Sequence, residues 1–269
     1  MIRLVVADVD GTLVTQEKEL TVEAVAAARE LNVAGVTLAI TSGRPPRGMR
    51  MLVEPLRLEG QIAGFNGGVY VYPDMRVVET HALAPEVARE AVRLVLEGGL
   101  DAWLYTAEDW LVRDKYGPHV AREASTVQFD AKVARRFSDD LMSRAIKIVG
   151  VSDDHASVAS CEKKAQATLG GRASASRSQP YYLDITHPLA NKGEVVTTFS
   201  KLLRVEPAEI AAIGDGANDV LMFERSGFSI AMGNASEEVK ARAAAVTSSN
   251  EEEGFAKAMR ELVLARVKP

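Results

Sequence analysis

The sequence predicts an α/β fold in which a core built on a parallel sheet is interrupted by an inserted α+β domain. Two observations carry this. Runs such as Leu4-Val5-Val6-Ala7, Val36-Thr37-Leu38-Ala39-Ile40 and Ile210-Ala211-Ala212-Ile213 are largely apolar without alternation, as strands buried on both faces are. Helical segments separate such runs near both ends of the chain, while the middle reads as helices and strands of antiparallel character.

The first strand ends in Asp8-Val9-Asp10-Gly11-Thr12, which puts any chemistry there at a strand's carboxyl end. A helix from about Thr21, its N-cap, to Asn32 leads to the strand at 36–40 and gives a right-handed βαβ unit. Ile62 to Phe65 supplies a third strand, and Val69 to Tyr72 with Arg76 to Thr80, split by Pro73-Asp74, a hairpin. There follow a helix at 85–97, strands near 101–105, 109–113 and 146–151, a helix ending at Leu169, and strands near 173–178 and 181–186. The βα alternation resumes with a helix at 192–203, a strand at 210–213, a helix at 220–226, a strand at 228–232, a helix at 236–243 and a short strand at 244–247. The core is therefore expected at 1–82 plus 187–269 and the inserted domain at 83–186.

The chain has 269 residues, 47% of them hydrophobic, enough for one large or two modest cores. Acidic residues outnumber basic ones by 37 to 32, with a net charge of -5 and no long Lys/Arg run, so nucleic acid and anionic membranes are not expected partners. Cys161 stands alone, forms no intrachain disulfide and reads as structural. No apolar run approaches the ~18 residues of a membrane span. Met1-Ile2-Arg3-Leu4 leaves no room for a secretory signal before the first strand, which makes a cytoplasmic monomer or small homo-oligomer the expectation.

Asp8 and Asp10 lie where a strand meets the Gly11-Thr12 turn, a place where both carboxylates can enter one pocket. A carboxylate attacks phosphorus when a cation screens the developing charge, and a neighbouring acid can protonate the leaving oxygen and then deprotonate water. Asp8 is the expected nucleophile and Asp10 the expected acid/base. Gly214-Asp215-Gly216-Ala217-Asn218-Asp219 follows another apolar strand and opens a helix, adding Asp215 and Asp219 at the same kind of position. Magnesium takes one or two protein carboxylates with waters and substrate phosphate, a demand that Asp8, Asp215 and a backbone carbonyl meet. Thr41-Ser42-Gly43-Arg44 closes the second strand with a hydroxyl and backbone amides suited to phosphoryl oxygens, and Lys192 at a helix start supplies positive charge. Singly each is an ordinary turn or cap; in this order one sheet gathers them at one edge.

These residues resemble the haloacid dehalogenase superfamily: Asp8 to Thr12 its first motif, Ser42 its second, Lys192 its third, and Gly214 to Asp219 its fourth. More narrowly, Phe65-Asn66-Gly67-Gly68, Ala190-Asn191-Lys192-Gly193, Ala231-Met232-Gly233-Asn234-Ala235 and Thr247-Ser248-Ser249-Asn250 resemble the Cof-type branch, subclass IIB, whose large cap is inserted between the second and third motifs. Ser42 stands where that branch more often has threonine, which keeps the hydroxyl. The resemblance implies a Rossmann-like core, Mg2+ held by Asp8, the Asp10 carbonyl and Asp215 with Asp219 in support, and a small phosphorylated metabolite as partner. It also implies phosphate or substrate contacts from Gly11, Thr12, Ser42, Gly43, Arg44, Asn66 and Asn218. The implied activity is a magnesium-dependent phosphatase of a sugar phosphate or similar metabolite. A phosphotransferase or phosphomutase on the same site and a non-catalytic binding protein are the alternatives. Trp103, Tyr105, Trp110 and Arg113 lie on strands of the insert, where the aromatics read as packing before substrate contact, and no histidine is given a catalytic role.

Overall fold

Leu4-Val5-Val6-Ala7-Asp8 forms β1, buried along its whole length, because β-branched and apolar side chains on both faces are covered from each side of the sheet. A computed structural model describes residues 1–267. In its first part, α1 (Val22–Val33), β2 (Thr37–Thr41), a 3-10 turn with α2 (Val53–Leu56), β3 (Ile62–Gly64), β4 (Val69–Val71) and β5 (Val77–Thr80) follow β1. The middle holds α3 (Pro85–Glu97), β6 (Asp101–Tyr105), β7 (Trp110–Val112), α4 (Val120–Val127), β8 (Lys132–Val133), α5 (Asp139–Ser143), β9 (Lys147–Val151), α6 (His155–Leu169), β10 (Ser174–Gln179) and β11 (Tyr182–Thr186). The last part holds α7 (Lys192–Leu203), β12 (Ile210–Gly214), α8 (Val220–Phe223), β13 (Phe228–Ala231), α9 (Glu237–Lys240), β14 (Ala245–Val246) and α10 (Gly254–Lys257).

Eight strands in the order β14-β13-β12-β1-β2-β3-β4-β5 form one sheet, parallel from β14 to β3 and antiparallel between β3 and β4. The register sets Ala7 beside Ile213 and Asp8 beside Thr41. Because the strands run parallel, residues just past β1, β2, β3, β12 and β13 emerge at one edge. Leu4, Val6, Ala39, Val195, Phe199, Ile210 and Met222 form a buried cluster on this sheet; burying each large apolar side chain contributes about 1.5–3 kcal/mol.

Six strands in the order β10-β11-β9-β6-β7-β8 form a second sheet, antiparallel except for β7 with β8. One face packs on α3 and α6 through Val87, Ala91, Leu104, Ile148, Val158 and Leu183. Trp103, Tyr105 and Trp110 are all buried on this unit, the two indoles edge to face at 5.2 Å, whereas Arg113 is exposed and paired with Asp101 at 3.4 Å. Cys161 is a buried free thiol beneath α3. The chain divides into two compact units, Met1–Gly43 with Met49–Val78 and Asn191–Pro269, and Arg44–Gly48 with Glu79–Ala190. Among the described residues no helix is long and apolar enough to cross a membrane.

Several elements differ from the sequence reading. The 3-10 turn Pro46–Leu52 with α2, and the short α4, β8 and α5, were not expected. Prolines 45, 46 and 55 mask the first pair, since proline argues against a helix interior. The expected helices at 220–226 and 236–243 shrink to α8 and α9, with Ser236 as N-cap of the latter rather than its first residue.

Candidate active site

Asp8 is the last residue of β1 and is buried to 5% exposure. Asn191 caps α7, its Oδ1 accepting from the Glu194 amide at 3.0 Å, so that Lys192 starts the helix and points its ammonium inward. Lys192 Nζ lies 2.6 Å from Asp8 Oδ1 and also bonds Asp219 Oδ1. Asp219 is fully buried, and its Oδ2 accepts the backbone amides of Asp215 and Gly216 at 2.9 and 2.8 Å, which closes the turn after β12.

Oxygen atoms of Asp8, Asp215 and Asp219 all fall within 4.8 Å of one another. Three carboxylates so close cannot all ionise without compensation, and Lys192 supplies only one positive charge. Burial, opposed by Lys192 and reinforced by Asp219 and Asp215, pushes the Asp8 carboxyl up to about 8. Asp215 is likewise raised, by burial and then by Asp219. Burial alone would lower Lys192, but Asp219 and Asp8 outweigh it and hold the ammonium above its usual range. An all-oxygen donor set with excess negative charge fits a hard divalent cation.

Gly11 has φ +80, and a Cβ there would overlap the Asp215 carboxylate, so only glycine lets the two loops meet. Asp10 stands just outside the acid cluster, its Oδ1 2.8 Å from Lys18 Nζ and its Oδ2 accepting from Ser42 Oγ at 3.4 Å. Ser42 follows β2, and its carbonyl accepts the Asn66 amide at 2.8 Å, which joins the loops after β2 and β3. Phe65, Asn66 and Gly67 all have positive φ, a run costing about 1–3 kcal/mol per non-glycine residue that persists where the surroundings impose it. Thr12 Oγ1 and Asn66 Oδ1 are buried atoms with no hydrogen-bond partner, the condition of groups that meet a ligand or water.

Gly43 lies beside Asn66, a built Cβ reaching to 3.7 Å from its Nδ2. Asn218 is exposed in the 3-10 turn Ala217–Asp219. Arg44 groups with the inserted unit, where its Nη1 donates to the Gly48 carbonyl at 3.5 Å. Nothing in the sequence pattern pointed to Lys18, a residue at φ +67 in a loop without periodic pattern. Asn234 was visible only as part of a motif and had no role; its Nδ2 bonds Asp215 Oδ2 at 3.1 Å and the Gly11 carbonyl at 2.9 Å.

A strand-end aspartate paired to a buried lysine, with a second acid two residues on and further carboxylates after a parallel strand, is the arrangement that the resemblance to the haloacid dehalogenase superfamily implies. The model of the haloacid dehalogenase-like hydrolases matches residues 5–259, and the chain belongs to that family, in its Cof-type branch of phosphatases. It is 28% identical to the HMP-PP phosphatase of Cronobacter sakazakii over 87% of this chain and 85% of that one. It is 27% identical to the pyridoxal phosphate phosphatase YbhA of Escherichia coli, covering 94% and 96% of the two chains. A crystal structure of a haloacid dehalogenase-like hydrolase from Bacteroides thetaiotaomicron superposes with a TM-score of 0.90 at 27% identity, over 97% of this chain and all 100% of that one.

Proposed function

We propose that this phosphatase is a magnesium-dependent hydrolase of a small phosphomonoester, a sugar phosphate or similar metabolite, working through an aspartyl-phosphate on Asp8. The observation that carries it is the buried Asp8–Lys192 pair set among Asp215 and Asp219, more negative charge than the chain itself neutralises. Relatives named for HMP-PP and pyridoxal phosphate support a small phosphorylated metabolite as the substrate.

Asp8, Asp215 and the Asp10 carbonyl would hold the cation, with Asp219 in support. When bound, Mg2+ screens the phosphoryl oxygens and lets Asp8 ionise. An Asp8 oxygen attacks phosphorus while the bond from phosphorus to the leaving oxygen breaks, and Asp10 donates its proton to that oxygen. Lys192 and Ser42 hold the phosphoryl oxygens during the transfer. Asp10, now a carboxylate, takes a proton from water as the water oxygen attacks phosphorus. The bond from phosphorus to Asp8 then breaks, inorganic phosphate leaves, and both aspartates return to their starting state.

The test is phosphate release from a panel of phosphorylated sugars, vitamins and nucleotides, with Mg2+ and with excess chelator. Wild type should turn over with Mg2+ only, and Asp8→Asn should lose more than about 10³-fold in kcat. Undiminished release by Asp8→Asn sinks the mechanism; dependence on an added acceptor alcohol points to a phosphotransferase.

A further inference from the structure

The loop after β13 and the segment beyond β14 carry Met232-Gly233-Asn234-Ala235 and Ser248-Ser249-Asn250, to which the reaction above gives no work. The structure puts them against the site. Asn234 Nδ2 donates to Asp215 Oδ2 at 3.1 Å and to the Gly11 carbonyl at 2.9 Å, while its Oδ1 accepts the Asn250 amide at 3.1 Å. These partners fix the sense of the side-chain amide, since the reversed orientation would set its oxygen against two acceptors and its nitrogen against a donor.

We propose that Asn234 is a positioning residue for the Asp215 carboxylate and thereby sets the affinity of the site for its divalent cation; this rests on reading Asp8 and Asp215 as cation ligands. Asp215 sits in a crowd of acids, where repulsion from Asp219 favours turning its carboxylate away. A donor that holds one of its oxygens opposes that turn. An amide does so without a positive charge, whereas lysine or arginine at the same place would repel the cation it is meant to help bind. By bonding the Gly11 carbonyl as well, Asn234 keeps Asp215 in register with the turn that follows Asp8.

The support behind Asn234 is rigid. Gly233 donates its amide to the Ser248 carbonyl at 2.9 Å, and a Cβ on Gly233 would lie 2.6 Å from the Ser249 nitrogen, so the two loops meet only because residue 233 is glycine. The buried Asn250 side chain donates to the Val14 carbonyl at 3.0 Å, fixing the far end of the turn that begins at Gly11. Asn234 itself is exposed, so its truncation opens no cavity in the core.

The experiment measures Mn2+ binding by electron paramagnetic resonance and Mg2+ binding by calorimetry on the full chain, as wild type, Asn234→Ala and Asn250→Ala. Urea midpoints are recorded in chelator. Asn234→Ala should bind Mn2+ and Mg2+ about tenfold more weakly with an unchanged urea midpoint. Its half-saturating Mg2+ for p-nitrophenyl phosphate turnover should rise by the same factor, with KM at saturating Mg2+ unchanged. Asn250→Ala keeps the backbone amide that bonds Asn234, so it should lower the urea midpoint and leave metal affinity within about twofold of wild type. Equal affinity in wild type and Asn234→Ala overturns the proposal, as does an equal loss in Asn250→Ala, which would make Asn234 only a brace for the loop. A wild-type chain that binds neither ion overturns the cation reading itself, a different and prior failure.

Discussion

Each unit of this protein sets a lysine among carboxylates, buried at Lys192 and partly buried at Lys147, and the two clusters are balanced differently. In the parallel-sheet unit Lys192 meets Asp8 and Asp219, with Asp215 close by, so acids exceed bases by two. In the inserted unit Lys147 Nζ lies 2.6 Å from Asp184 Oδ2, Glu123 Oε1 accepts the Tyr105 hydroxyl at 2.8 Å, and the Arg44 charge acts on Glu123. There two bases face two acids. A buried network that exists for the fold tends toward neutrality, because each uncompensated charge carries a large desolvation penalty. A surplus of one sign marks a place where the balancing charge arrives with a ligand.

The largest expected effect tests that contrast directly. Lys192→Met keeps an unbranched side chain one atom shorter and removes the ammonium that bonds Asp8 and Asp219 beside Asp215. In chelator it should cost about 3–5 kcal/mol in urea unfolding, the range for a broken buried pair, and millimolar Mg2+ should recover part of the loss. Lys147→Met should cost less and recover nothing with Mg2+, since its neighbours are not read as metal ligands. If Mg2+ rescues neither variant, the surplus in the first cluster is not a cation site; if it rescues both, the contrast between the clusters is lost.

The first cluster was legible in the sequence and the second was not, for a physical reason. Asp8, Ser42 and Asp215 each follow an unbroken apolar run, and Lys192 begins a helix, so parallel-sheet geometry alone predicts that they converge. The polar side chains of the inserted unit sit on antiparallel strands and on α4, where which strands pair decides who meets whom. Tyr105 and Glu123 are joined across a loop, and α4 itself was missed, because Gly117-Pro118 before it and the β-branched Thr126-Val127 at its end weaken a helix signal. His119 enters that helix at φ +62, a turn no local pattern announced. Within the first cluster the same limit hid Lys18 and Asn234. The bond from Asn234 to Gly11 spans 223 positions and depends on how two loops abut.

Glu123 offers a smaller effect of opposite sign. Burial raises its carboxyl above 4.5, against the opposing pull of Lys147 and the Tyr105 hydroxyl. A raised carboxylate stabilises the fold fully below its unfolded value of 4.5, and that contribution is lost as pH climbs through the folded pKa. At neutral pH the ionised side chain therefore weighs against folding. Glu123→Gln keeps an acceptor for Tyr105 and removes the charge, so its melting temperature should exceed wild type at neutral pH, with the gain shrinking as pH falls below 4.5. A gain that is the same at both ends would mean packing, and the balanced network would then need another account.

The smallest effect lies where the inserted segment begins and ends. The His81 and His187 rings stack with centroids 5.6 Å apart, His187 Nδ1 accepts the Leu189 amide at 3.1 Å, and His81 Nε2 lies 3.1 Å from Glu79 Oε1. Burial, and then the neighbouring His81, lower His187 below 6.5. For a histidine with a depressed folded pKa the stabilisation is present above 6.5 and is lost as pH falls, because the unfolded chain takes the proton more readily. Protonating Nδ1 would also turn the acceptor for Leu189 into a second donor facing a donor. His187→Asn retains a carbonyl oxygen for that amide and does not titrate, so its melting temperature should fall less steeply than wild type as pH drops below 6.5, the two curves converging above it. Parallel curves through that range would show that His187 titrates as it does in the unfolded chain and that its burial beside His81 contributes no pH dependence.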